Sequence, residues 1–121
     1  KLFDVLNFHQ YAGGQRPNWG GSDRAESPLV RIIDDHRTTY GAGKPVIQTE
    51  TGYMNGVGGK NVPENVSAIY TLRTFTENLK ENGQDAVLVF QLFDTPEKHE
   101  PGEQYRGVFS VSTSGVVQPK Q

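Results

Sequence analysis

The feature that most constrains the fold is a regular alternation of strand-like and helix-like segments along the 121 residues. Some segments carry apolar strand patterns, and others carry the three- and four-residue apolar spacing of helices. The strand patterns cover residues 1–11, 44–50 and 85–94, and the helix patterns cover residues 27–40 and 63–82. Strands that alternate with helices form parallel sheets, because a helix is the usual crossover between parallel strands. The sequence therefore predicts an α/β fold in β-α-β-α-β order.

Both predicted helices have recognisable ends. Ser27 is a typical N-cap and Pro28 a typical first helical residue, while Gly41 or Gly43 ends this helix. The second helix begins at Pro63 and ends at Gly83. Its apolar residues recur at spacings of three and four and predict an amphipathic helix: Val66, Ile69, Tyr70, Leu72, Phe75 and Leu79.

The last third of the chain predicts two further strand features. The near-continuous apolar run at 85–94 is typical of a parallel strand that is buried on both faces. Residues 107–111 are expected to form a short final strand, or a hairpin with Val116 and Val117.

Polar and aromatic residues follow each predicted strand of the sheet at its carboxyl end. The first strand ends in His9 and Tyr11, the second in Glu50, and the third in Gln91 and Asp94. The carboxyl ends of parallel strands lie at one edge, where α/β sheets and barrels place their active sites. Polar residues at all three strand ends therefore predict a functional site at this edge of the sheet. A lone glutamate at a strand end more often caps a turn or pairs with a basic side chain, so the assignment depends on all three strand ends together.

Composition argues against several classes of function. A formal net charge of −2 with mixed signs leaves no basic patch for nucleic acid, and the absence of cysteine excludes disulfides and thiolate metal sites. No apolar run reaches the roughly 18 residues of a membrane span. His36 follows Asp34 and Asp35, but adjacent helix positions face different ways, so no metal site is predicted. We expect no nucleic-acid partner, no membrane partner and no cofactor.

Three motifs in this order resemble a known enzyme family. They are Phe8-His9-Gln10-Tyr11, Lys44-Pro45-Val46-Ile47-Gln48-Thr49-Glu50-Thr51-Gly52 and Phe90-Gln91-Leu92-Phe93-Asp94. They resemble strands six, seven and eight of clan A glycoside hydrolases, retaining (β/α)₈ TIM-barrel enzymes that include cellulases and β-1,3-glucanases. The tail from Tyr105 to Lys120 resembles the segment after strand eight. The resemblance implies that residues 1–121 are the C-terminal part of a (β/α)₈ barrel that hydrolyses O-glycosyl bonds of a polysaccharide or oligosaccharide.

The resemblance also implies roles for individual residues. Glu50 corresponds to the catalytic nucleophile, and Tyr11 to the tyrosine that hydrogen-bonds it. The residues expected to bind substrate are His9, Trp19, Tyr53, Gln91, Phe93 and Asp94. The strand-eight position is often a tryptophan platform in the family, and here Gln91 and Phe93 replace it. Asp94 precedes Thr95-Pro96, where capping of a turn is the competing role.

A retaining glycosidase needs a second carboxylate, about 5–5.5 Å from the first, to protonate the leaving oxygen. In the family this acid/base residue follows strand four in an Asn-Glu pair, and this chain has no Asn-Glu at a strand end. The resemblance begins at strand six, so strands one to five are absent. We therefore expect the partner to be the remaining N-terminal barrel segment or a second chain, and the isolated chain to be inactive. The resemblance further suggests a secreted protein.

Two other functions are open from sequence alone. One is a carbohydrate-binding barrel remnant that has lost catalysis. The other is a different TIM-barrel hydrolase that acts on esters or amides. The latter needs a serine or metal constellation, and no serine in the chain has a Gly-x-Ser-x-Gly setting.

Overall fold

The computed structural model describes residues 3–18, 28–41, 43–56, 59–81, 83–94 and 105–120. Its elements in chain order are β1 (Leu6–His9), α1 (Pro28–Tyr40), β2 (Val46–Thr51), α2 (Glu64–Phe75), β3 (Ala86–Val89), β4 (Phe109–Val111) and β5 (Val117–Pro119). A π-helix, Thr76–Glu81, continues α2. The predicted β-α-β-α-β order is confirmed.

Strands β1, β2 and β3 form one parallel sheet with β2 in the centre. The register sets Leu6 opposite Val46 and His9 opposite Glu50, with an irregularity between Phe8 and His9. The carboxyl ends of the strands therefore meet at one edge of the sheet, as the sequence predicts. Glu50 lies at this edge on β2, between the ends of β1 and β3.

Helix α1 closes one face of the sheet with a small apolar core. Leu6, Ile33 and Val46 are buried there, and Phe3 and Phe8 pack against them. Ile33 is the α1 residue in this cluster, so the side of the helix that carries Ile33 covers β1 and β2. Gly41 follows the helix with a positive φ of 115°, and its N–H donates to the Arg37 carbonyl. Ser27, the predicted N-cap, lies outside the described residues.

The π-helix contacts the sheet through buried polar groups. Gln48 of β2 is only 1% exposed and donates from its amide to the Gln10 carbonyl at 2.8 Å. Asn78, also buried, donates to the Gln48 amide oxygen at 2.9 Å. These hydrogen bonds join β2, the segment after β1 and the π-helix, so the central strand is fixed by polar as well as apolar contacts.

The second helix forms as predicted, but its apolar residues are not buried. Ile69 and Leu72 of α2 are 54% and 69% exposed, and Thr74 is the buried residue of that helix. The amphipathic pattern is local to the sequence, whereas burial depends on an element to cover it. No described element covers this side of α2.

The prediction of a third strand buried on both faces is wrong. Only Ala86–Val89 is strand, and Leu88 is 50% exposed. Among the described residues β3 pairs with β2 alone, so it is an edge strand. The residues after it turn to the C-terminal segment instead: the Asp94 N–H donates to the Phe109 carbonyl at 2.9 Å.

The C-terminal hairpin is confirmed. Strands β4 and β5 pair antiparallel, with Phe109 opposite Pro119 and Val111 opposite Val117. Within the described part of the chain, no helix has the length and apolar character to cross a membrane.

Candidate active site

Glu50, near the end of the central strand, contacts His9 at the end of β1 and Tyr11 two residues later. The Tyr11 hydroxyl donates to Glu50 Oε2 at 2.9 Å, and His9 Nδ1 lies 3.3 Å from the same oxygen. The Glu50 side chain is 35% exposed, so a ligand can reach it. No described residue donates a hydrogen bond to Oε1. One carboxylate oxygen is therefore held by the protein, and the other is available.

The backbone after β1 fixes the position of Tyr11. The Gln10 N–H donates to the Glu50 carbonyl at 3.3 Å, and the Gln10 carbonyl accepts from the buried Gln48 amide. The Arg106 guanidinium lies over the Tyr11 ring, 4.5 Å from its centroid, in cation–π geometry. The tyrosine is thus held by the main chain at its base and by Arg106 on its ring.

Sequence reasoning missed Gln48 and Arg106. Gln48 lies two residues after the apolar Val46 in the same strand, so alternation places both on one face, and a polar residue on an apolar face is a recognisable sign of a buried hydrogen-bonding position. Arg106 carries no comparable local sign, because its contact with Tyr11 joins residues from opposite ends of the chain.

A cavity of about 270 Å³ adjoins Tyr11. Gly52, Lys60 and Arg106 line it, together with Tyr53. Arg106 Nε is buried and has no hydrogen-bond partner among the described residues. The cavity beside the carboxylate site therefore has cationic walls.

The other predicted substrate-binding residues have different environments. Tyr53 is 4% exposed and its ring packs on Tyr70, with centroids 5.4 Å apart. Burial raises the pKa of the Tyr53 phenol, so it stays neutral. Phe93 is 45% exposed beside Phe109, and thus keeps a ring surface accessible. Trp19 lies outside the described residues.

The residues after β3 are tied to the C-terminal segment. Asp94 Oδ1 accepts from Lys120 Nζ at 2.7 Å and from the Gly107 N–H at 2.9 Å, and the side chains of both ion-pair partners are largely buried. This contact favours the structural role of Asp94 over substrate binding. Gln91 accepts a backbone bond from Val108 at 3.1 Å.

Several described carboxylates have structural partners. Glu77 accepts from Arg73 at 2.6 Å, Asp85 accepts from the Val46 N–H at 2.8 Å, and Asp94 pairs with Lys120. No group of three or more histidine, aspartate and glutamate side chains in the described ranges is arranged to hold a metal ion. Among the described residues, the site therefore offers one accessible carboxylate, Glu50, with the Tyr11 hydroxyl as its donor.

The buried Gln48 amide offers a direct test of how the site is held. Changing Gln48 to leucine leaves the Gln10 carbonyl and the Asn78 amide without their partner, and should lower the free energy of unfolding by about 1–3 kcal/mol. Urea denaturation measures this difference. The matched control is Gln15→Leu at an exposed position, with an expected change below about 0.5 kcal/mol. Equal losses in both variants would contradict this role of Gln48.

Fold and site together define an α/β segment that presents a carboxylate at the carboxyl edge of a parallel sheet. Solved structures with a similar fold include β-glucuronidases. The Bifidobacterium dentium enzyme complexed with coumarin-3-O-glucuronide has 22% identity to this chain and a TM-score of 0.59. The matched region covers 99% of this chain and 19% of the enzyme. The Faecalibacterium prausnitzii enzyme has 18% identity and a TM-score of 0.56, covering 97% and 20%. The Ruminococcus gnavus enzyme in complex with D-glucaro 1,5-lactone has 20% identity and a TM-score of 0.53, covering 97% and 21%.

At these identities the likeness is one of fold. The chain spans about a fifth of the length of these enzymes and resembles part of a glycosidase TIM barrel. The structural neighbours are β-glucuronidases, so they support the glycosidase-barrel prediction without its finer cellulase and β-1,3-glucanase assignment. No protein-family model and no curated protein sequence matches the chain.

Proposed function

We propose that residues 1–121 are the C-terminal part of the (β/α)₈ catalytic domain of a retaining glycoside hydrolase, with Glu50 as nucleophile and Tyr11 as its support. The observation that carries the proposal is the hydrogen bond from Tyr11 to Glu50 Oε2, at the end of the central strand of a glycosidase-like fold. The Tyr11 hydroxyl holds Oε2 of Glu50 in place and Oε1 stays accessible, which suits attack of Oε1 on a sugar.

The proposed reaction is a double displacement. Glu50 Oε1 attacks the anomeric carbon, the glycosidic bond breaks, and a second carboxylic acid protonates the leaving oxygen. Water then attacks the glycosyl-enzyme ester, gives its proton to that second carboxylate and releases Glu50. Two inversions at one carbon retain the anomeric configuration.

The acid/base residue belongs to the remaining N-terminal barrel segment, or to a second chain, that completes the barrel. Two features support such a partner. Among the described residues, strands β1 and β3 are the edges of the sheet, and unpaired edges of this kind accept further strands. Ile69, Leu72 and Leu88 are exposed apolar residues that a complete barrel would cover.

Among carbohydrate substrates, we favour glycosides of acidic sugars. The structural neighbours include β-glucuronidases bound to coumarin-3-O-glucuronide and to D-glucaro 1,5-lactone. Arg106 and Lys60 line the cavity beside Tyr11, and guanidinium and ammonium groups pair with carboxylates. Phe93 offers an accessible ring for stacking on a sugar face.

Secretion is a further proposal that rests on the family resemblance alone.

The test uses the complete barrel that contains this chain. It is assayed with nitrophenyl β-glucuronide, β-glucoside and β-mannoside, and proton NMR identifies the anomer released first. We expect hydrolysis with the β-anomer appearing first. Release of the α-anomer first would contradict the retaining mechanism. Binding of these sugars without turnover would favour the carbohydrate-binding remnant, and would contradict the enzyme.

A further inference from the structure

Both peptide groups that flank Arg106 are hydrogen-bonded to the same pair of side chains. On one side, the Tyr105 carbonyl accepts from Lys120 Nζ at 3.2 Å. On the other side, the Gly107 N–H donates to Asp94 Oδ1 at 2.9 Å. The main chain at Arg106 is therefore held on both sides by Lys120 and Asp94.

These two side chains form an ion pair that is largely shielded from water. Lys120 Nζ lies 2.7 Å from Asp94 Oδ1, and the two side chains are 8% and 14% exposed. Taking two charges out of water is costly, and an apolar pair of similar volume often stabilises a protein equally well. Net stability is therefore a weak reason for this pair. Its bonds to the peptides beside Arg106 indicate a conformational role instead.

Backbone contacts support the same segment. A Cβ at residue 107 would collide with the Asp94 backbone nitrogen, so only Gly107 allows this close approach. The Asp94 N–H also donates to the Phe109 carbonyl at 2.9 Å, and the Asn55 N–H donates to the Tyr105 carbonyl at 3.1 Å. The main chain on both sides of the arginine is thus packed as well as hydrogen-bonded.

The guanidinium of Arg106 reaches from this segment to the Tyr11 ring, with its central carbon 4.5 Å from the ring centroid. Arg106 Nε is buried and has no hydrogen-bond partner among the described residues, so no described bond at Nε aims the group. Its place over the ring depends on the main chain that carries it and on the cation–π attraction. The hydroxyl of the same ring donates to Glu50 Oε2 at 2.9 Å. A displaced arginine would therefore free the ring that orients the carboxylate.

We propose that Asp94 and Lys120 are positioning residues that place Arg106 over Tyr11 and, through Tyr11, orient Glu50. This inference deepens the proposed function and rests on it for its catalytic meaning. It gives Asp94 a role in the site without contact with substrate. Each step from the ion pair to the carboxylate is a contact within the described part of the chain.

The first test is NMR of the 121-residue chain with isotope-labelled arginine, because protons above the face of an aromatic ring are shifted upfield. Arg106→Met identifies the signals of the Arg106 δ-methylene protons, and Tyr11→Leu gives their position without the ring. We expect upfield-shifted signals in the unchanged chain. In Lys120→Met they should move most of the way to the Tyr11→Leu position. Signals that keep their shift in folded Lys120→Met would overturn the proposal.

A matched control and a second variant separate positioning from folding. Arg73→Met removes the cation of another ion pair, with Glu77 at 2.6 Å, and should leave the Arg106 signals unchanged. If Lys120→Met unfolds, Asp94→Asn is read in its place, because its amide keeps an oxygen for the backbone N–H and removes only the charge. Unfolding of both variants would assign the pair to stability alone and would also overturn the proposal.

A double-mutant cycle in the complete barrel links the ion pair to catalysis. Lys120→Met and Arg106→Met should each lower kcat about tenfold, and the double variant should lower it by about the same factor, because both changes remove the same contact with Tyr11. Losses that multiply, to roughly a hundredfold in the double variant, would contradict action of the ion pair through Arg106.

The two proposals fail separately. Arg106 signals that move in Lys120→Met, together with a complete barrel that lacks glycosidase activity, refute the proposed function and keep the positioning. Arg106 signals that stay in place, together with an active barrel, refute the positioning and keep the function.

Discussion

The change of Glu50 to glutamine should lower kcat/KM of the complete barrel for its glycoside by roughly 10⁴-fold or more, the scale on which removal of a catalytic nucleophile acts. Glutamine keeps the shape of the side chain and an oxygen for the Tyr11 hydroxyl, so the fold should survive. An amide oxygen is too weak a nucleophile to form the glycosyl-enzyme ester. The measurement is the initial rate of aryl-glycoside hydrolysis, with circular dichroism to verify folding.

The matched control is Glu64→Gln, which makes the same chemical change at an exposed position at the start of α2. Its activity should stay within about twofold of the unchanged protein. A further variant, Glu50→Ala, leaves space for formate to attack in place of the carboxylate. Added formate should restore measurable turnover in Glu50→Ala. Loss of activity in both glutamine variants, or full activity in Glu50→Gln, would count against Glu50 as nucleophile.

The change of Gly52 to alanine should lower the free energy of unfolding by about 3 kcal/mol, the upper part of the usual range for overpacking. A Cβ at residue 52 would collide with the Phe90 carbonyl oxygen, which belongs to the backbone and cannot rotate away. The neighbouring bond from the Phe90 N–H to the Thr51 carbonyl, 2.6 Å long, holds the two strand ends together at this point. Thermal or urea unfolding of the chain measures the loss.

Gly43→Ala is the control for this prediction, because a Cβ there meets nothing within 4 Å and the residue has no positive φ. It should be neutral or slightly stabilising, by up to about 1 kcal/mol. In the complete barrel Gly52→Ala should also reduce activity, since Gly52 lies two residues after Glu50 and a shift of the strand end moves the carboxylate. Similar stability in the two alanine variants would refute the close approach between the strand ends.

The centre of the site could be predicted from sequence because it depends on topology. Alternating strand and helix patterns predict parallel strands, and parallel strands bring their carboxyl ends together. His9, Tyr11 and Glu50 lie at the carboxyl ends of two such strands, and the structure brings them into contact. Their catalytic roles remain predictions, as do the substrate-binding roles of Gln91 and Phe93.

The rest of the site depends on contacts between segments far apart in the chain. Gln48 is bonded to Asn78, 30 residues away, and Arg106 covers the ring of Tyr11. No spacing rule within a segment connects such pairs. The apolar run at 85–94 predicts one strand, but the strand ends at Val89. Beyond it, the Phe109 N–H donates to the Leu92 carbonyl at 2.9 Å, so the second half of the run bonds to the C-terminal segment.

The exposed face of α2 has a similar explanation. Its apolar spacing predicts a helix with a face to be covered, and sequence says nothing about what covers it. Ile69 and Leu72 are exposed because no described element packs on them. In the proposed complete barrel, further elements would cover this face.

The most direct test of the central claim is to identify the residue that carries the sugar during turnover. The complete barrel is incubated with an activated fluoro-glycoside that forms a long-lived glycosyl-enzyme, and the labelled peptide is located by mass spectrometry. We predict a single label, on Glu50, in the peptide that contains Gln48-Thr49-Glu50-Thr51-Gly52, and none in Glu50→Gln. A label on another carboxylate of an active barrel, with Glu50 unmodified, would contradict the account.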